Sequence, residues 1–177
     1  MSWKQKIGYF LVGLAFLGLI ALYALEFYYF KRTFGIRTMS LVAAGIGAVV
    51  GAILGGALSR KAEDAVDRIQ VFLFCIVLCA GFSPLLASLS NRLLSPHPVK
   101  WEGVQFFEEK AYISERFGVM KGEKVKPRGY NLFFMREGKL VRIDNRLPLP
   151  GKPQRGDTFQ IPVRKGLWGV EWVGAWP

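Results

Sequence analysis

Apolar positions along the chain form three long runs and then change character. Residues 7–25 and 38–58 carry no charge, and residues 69–89 form a third run interrupted only by Gln70 and a few small polar side chains. Each is close to the ~20 residues that an α-helix needs to cross ~30 Å of hydrocarbon. The pattern therefore predicts a three-helix transmembrane region over residues 1–94. Past the Pro96-His97-Pro98 linker, residues 95–100, the period falls to two. That alternation predicts strands, so the expected fold is membrane α + β: three transmembrane helices followed by a small antiparallel β-sheet or barrel over residues 101–177.

The three runs differ in make-up. In the first, leucine and phenylalanine dominate, and Glu26 with Phe27, Tyr28, Tyr29 and Phe30 marks its exit, the aromatic rings at headgroup level and the carboxylate near water. Lys4 and Lys6 would also suit a secretory signal, but the run is long for a signal core and no cleavage site follows cleanly, so an uncleaved anchor is expected. In the second, at about 100° per residue, Gly47, Gly51, Gly55, Ala44, Ala48, Ala52 and Gly45 gather on one side and Val49, Ile53, Ile46, Val50 and Leu54 on the other. Overlapping GxxxG steps serve close helix packing where lipid supplies little drive for association, so this glycine zipper should meet another helix, within the chain or in a homo-oligomer. The third run repeats Cys75, Cys79, Ser83 and Ala87 every four residues, and Pro84 predicts a kink whose freed carbonyls Ser83 is placed to satisfy. Asp64 and Arg68, in the charged hairpin between the second and third runs, have the spacing of a helical ion pair.

In the tail, Glu137-Gly138 between two apolar segments predicts a β-hairpin, and Lys165-Gly166 predicts a second whose returning strand carries Trp168, Val170 and Trp172 on one face, with Trp176 continuing the spacing. Residues 104–107 and 111–116 read as two further strands, and Pro162 should place its strand at a sheet edge. Five or six strands are expected.

Charge separates the halves further. Residues from 95 onward hold fifteen basic and nine acidic side chains, a net +6, with a cluster at Lys121, Lys124, Lys126 and Arg128. This favours an acidic protein partner or anionic headgroups. Nucleic acid is not expected, because no nucleic-acid-binding signature accompanies the charge. Orientation is nearly balanced: Lys4, Lys6, Arg60, Lys61 and Arg68 oppose Lys31, Arg32, Arg37, Arg92 and Lys100. The first helix tips the reading to a cytoplasmic N-terminus and an extracytoplasmic tail in a cell inner (plasma) membrane.

No P-loop, nucleophile elbow, HExxH or CxxC is present, His97 sits alone between prolines, and Glu108, Glu109 and Glu115 read as solvated charges. Neither enzyme chemistry, cofactor nor metal is expected. In layout, three spans with a Gly/Ala-rich member ahead of a β domain resemble the small-conductance mechanosensitive channel, although there the small-residue helix is the last span. The stretch GDTFQIPVRKGLWGVEW is loosely similar to the closing strands of the NfeD-family barrel. These departures assign the chain to neither. The expected role is a non-catalytic accessory, assembly or immunity-type subunit that binds another membrane or extracytoplasmic protein through Lys121, Lys124, Lys126, Arg128 and Trp176. The alternative is an oligomeric channel or transport component packed through the second helix.

Overall fold

In the computed structural model, which describes residues 2–113 and 127–174, three helices precede five strands. The helices are α1 (Trp3–Phe30), α2 (Ile36–Ser59) and α3 (Ala65–Leu93), and the strands are β1 (Val99–Tyr112), β2 (Gly129–Arg136), β3 (Lys139–Asn145), β4 (Thr158–Lys165) and β5 (Glu171–Val173). All three helices are long and apolar enough to span a bilayer. The chain is thus a multi-pass membrane protein with a small β domain. Two compact units can be drawn: Met1–Pro96 with Gly166–Glu171, and His97–Lys165 with Trp172–Pro177.

Within the helical unit α2 and α3 form the close pair, while α1 touches α3 more sparsely, through Phe16 and Tyr23 against Phe82 at ring-centroid distances of 5.7 and 6.2 Å. The closeness of α2 and α3 comes from missing side chains. A Cβ at Gly47 would collide with Ser83 and the Cys79 carbonyl; at Gly51 it would lie 2.6 Å from the Cys75 carbonyl oxygen and 2.7 Å from Ile76 Cα; at Gly55, 3.0 Å from Phe72 Cα. Ala43 is buried with these glycines, and Gly45 faces open space. Val49 and Ile53, more than 60% exposed, point away from α3.

Several local details differ from the sequence reading. The Ser83 hydroxyl donates to the Cys79 carbonyl at 2.7 Å, not to that of Ala80, which the buried Pro84 frees within α3. Arg68 does not pair with Asp64: its Nε donates to the Ala62 carbonyl at 3.1 Å, and Asp64 takes the N-cap position of α3 in extended backbone.

The β unit is a curled antiparallel sheet in the order β3-β2-β1-β4-β5. Its first hairpin closes on Glu137 and Gly138, both at positive φ (50° and 75°), as a two-residue turn between right-twisted strands requires. The strands expected over residues 104–107 and 111–116 are one strand, β1, as far as Tyr112, and residues 114–116 lie outside the described residues. The first half of β1 pairs with β4 and its second with β2, and a bulge at Phe107 re-aims it between them. Val104, Phe106, Leu132, Phe134, Ile143, Ile161, Val163 and Val173 are the buried apolar face, with Phe159 set edge-on to Phe106 and Phe134 at 6.0 Å. β4 is not the edge strand that Pro162 suggested. Proline removes only a donor, and its carbonyl accepts the Gly174 N–H at 2.8 Å beside β5. The second hairpin also differs: Trp168 precedes the returning strand, which begins at Glu171. Glu109 is more than a solvated charge, since its carboxylate accepts the N–H of the buried Leu149 at 3.0 Å and pins the β3–β4 connection.

Gly51→Ile places a branched side chain against the Cys75–Ile76 backbone and is expected to lower stability by roughly 1–3 kcal/mol, the range for overpacked cores. Val49→Ile, on the exposed side, is expected to change little. Thermal unfolding of both variants in one detergent checks this, and equal melting temperatures would show that the α2–α3 contact contributes nothing.

Candidate functional site

Polar chemistry in the helical unit concentrates at one end of the bundle, where α1 and α3 finish and α2 begins. Chain direction brings it about: α1 and α3 run the same way across the membrane, so Glu26, one turn from the end of α1, and Arg92, in the last turn of α3, reach one depth. Glu26 is buried, 2% exposed. Its carboxylate accepts from Arg92 Nη2 at 2.8 Å and Nε at 3.3 Å and from the Ser88 hydroxyl at 2.7 Å. The Arg92 guanidinium also stacks 3.8 Å from the Tyr29 ring centroid. The sequence reading of Glu26 as a carboxylate near water is therefore corrected: the bundle encloses it. The signal in the sequence was an acid and a base at equivalent ends of the first and third runs. A neighbouring cation, Arg32, is buried too, donating to the Tyr28 hydroxyl at 2.7 Å and lying over that ring.

One helical step from Arg92, Asn91 gathers the Gly166–Glu171 segment. Its backbone carbonyl accepts the Leu167 N–H at 3.0 Å, its Oδ1 accepts the Trp168 N–H at 2.9 Å, and its Nδ2 donates to the Val170 carbonyl at 2.9 Å. Gly166 packs so tightly on the Asn91 side chain that no Cβ fits there. The Trp168 indole N–H donates to Ser90 Oγ at 2.8 Å, and the Phe34 N–H donates to the Glu171 carbonyl at 2.8 Å. Trp168 is thus not a core residue of the sheet. Its side chain is 63% exposed, in the helical unit.

Between α2, α3 and this segment lies a groove of about 1050 Å³. Gly35, Thr38, Met39, Val42, Ala43 and Ile46 line it from α2 and its cap, Ser83, Leu86, Ala87 and Ser90 from α3, and Phe34, Trp168 and Glu171 close its mouth. It begins where the glycine contacts stop, at Gly47 and Ser83.

Of the residues singled out from sequence, Gly47, Gly51 and Gly55 are buried against α3, and Ala44 and Ala48 are half-buried beside them. Arg128 is exposed at the entrance to β2, its N–H donating to the Tyr112 carbonyl at 3.0 Å. Lys121, Lys124, Lys126 and Trp176 lie outside the described residues. On the sheet, Arg136 forms a two-pronged pair with Glu102, both bonds 2.8 Å. Among the described residues no group of three or more His, Cys, Asp or Glu is placed to hold a metal ion. Compared with known proteins, the chain matches no family model, no curated protein sequence and no solved structure.

Removing one member of a buried ion pair strands the other, whereas removing both leaves an apolar contact. Arg92→Leu is accordingly expected to cost about 3–5 kcal/mol, the range for a broken buried pair, and Glu26→Leu/Arg92→Leu to recover most of that loss. A thermal double-mutant cycle in detergent measures the coupling, and additive effects would mean that the two side chains do not interact.

Proposed function

We propose that the chain is a non-catalytic membrane subunit of the accessory or assembly kind: its helices anchor it, and its basic β unit contacts an acidic protein partner. The observation that carries this reading is that α3 of the same chain already occupies the small-residue face of α2. A pore or homo-oligomer built on that face would need it free, which leaves the net +6 charge of residues 95–177, with Arg128 exposed, as the recognition chemistry this reading relies on. Rim charges act chiefly on encounter rate.

Orientation follows the same reading, with the N-terminus cytoplasmic and the β unit extracytoplasmic. The basic residues tie at five on each side, and the first helix, preceded by Lys4 and Lys6, tips the reading to a cytoplasmic N-terminus. Protease added outside spheroplasts is expected to cut at residues 95–100, giving the tail as a separate fragment on a denaturing gel. Protection until the membrane is permeabilised would reverse the topology.

For the partner, full-length protein in mild detergent is to be captured from membranes at low and moderate salt, alongside a Lys124→Glu/Lys126→Glu/Arg128→Glu variant. Reversing the charges is expected to slow association by roughly tenfold and to flatten its salt dependence. An unchanged partner list with unchanged salt dependence would overturn the reading.

A further inference from the structure

Within the β unit, β3 is an outer strand: in the order β3-β2-β1-β4-β5 it pairs with β2 alone. Arg136 and Lys139 close the two-residue turn as a hydrogen-bonded pair, so by alternation Lys139, Val141 and Ile143 direct their backbone groups to β2. The N–H and carbonyl of Leu140 and of Arg142 therefore point away from the sheet. Among the described residues these outward groups meet no partner. Side-chain burial follows the same alternation. Val141 is half-buried and Ile143 buried on the core side, whereas Leu140, 52% exposed, and Arg142, also exposed, share the other face.

An edge of this kind accepts a further strand, and its charge selects which. Lys139, Arg142 and Arg146 are exposed cations along it, against one exposed acid, Glu137 in the turn, while Asp144 is buried. A second copy of β3 would set this cationic row against itself, and like charges across paired strands repel. An acidic strand meets opposite charge instead. We propose that β3 takes an extended acidic segment of the partner protein as an added strand, bonded through the outward main-chain groups of Leu140 and Arg142. The period of two then fixes the pattern that fits: an apolar side chain beside Leu140 and a carboxylate two residues away beside Arg142. This rests on the reading that the β unit contacts an acidic protein, and it names the surface that does so.

The test gives the full-length chain in mild detergent an end-blocked peptide of alternating Val and Glu, or of alternating Val and Lys, and follows amide hydrogen exchange residue by residue. Without peptide the Leu140 and Arg142 amides are expected to exchange far faster than that of Ile143, which is bonded to β2. Saturating Val-Glu peptide should slow both by roughly tenfold or more, and Val-Lys peptide should not. Leu140→Pro deletes an outward donor and no bond to β2, so it should remove the protection at Arg142 while the melting temperature stays in place. Arg142→Glu, which leaves the whole backbone intact, should remove the protection at Leu140 by Val-Glu peptide and admit Val-Lys peptide in its place. A wild type that gains no protection, equal protection by the two peptides, or protection by Val-Glu peptide that survives Arg142→Glu would overturn the proposal. Capture of a membrane partner is scored separately, so failure of this edge and failure of the accessory reading are told apart.

Discussion

Backbone-to-backbone approach of α2 and α3 is the contact on which the helical unit depends. Hydrocarbon gives two apolar helices little reason to leave lipid for each other, so what holds them is van der Waals contact, whose strength falls steeply with distance. Three glycines on α2 let the Phe72–Ser83 stretch of α3 come within reach. Where the glycines end, the gap widens into the groove, so the tight seam and the open site are two parts of one crossing. α1 gains no such seam. It is joined to α3 by aromatic edges and by a polar cluster at one end.

That cluster carries the larger electrostatic cost in the unit. A carboxylate and a guanidinium withdrawn from water are expensive unless each finds several partners. Glu26 has Arg92 twice and Ser88 once, and Arg92 adds the Tyr29 ring. Because a single wrong registry of α1 against α3 would leave both charges stranded, the pair specifies alignment more than it adds cohesion.

The chemistry legible in sequence is the chemistry that composition carries. Charge is excluded from hydrocarbon, so the three spans stand out as uncharged runs, and Glu137-Gly138 announces its turn because few residues accept positive φ. What was not legible depends on distant partners. Glu26 looks interfacial until Arg92, 66 residues later, is known to end at its depth. Trp168, Val170 and Trp172 imitate a strand, yet Gly169 turns the backbone to φ 78° and Asn91 captures the segment before β5 starts. Pro162 misdirects for a related reason: a missing donor says nothing about whether its carbonyl has a neighbour. The basic segment from Lys121 to Lys126 lies outside the described residues, and of that candidate surface only Arg128 is placed.

Asn91 binds the Gly166–Glu171 segment entirely through main-chain groups: it donates to one carbonyl and accepts from two amides. Peptide bonds are common to every sequence, so this attachment is blind to the identity of the residues it holds, save at Gly166, where the Asn91 side chain leaves no room. Whereas the Trp168 indole adds its own bond to Ser90, the side chains of Leu167 and Val170 are thereby released from any duty of fastening the turn. Mutation can exchange them, and with them the character of the groove mouth, without loosening the backbone that carries them. The structure thereby separates a fastening made largely through the main chain from a lining made by side chains, the same division by which a fixed framework lets a recognition loop change its target.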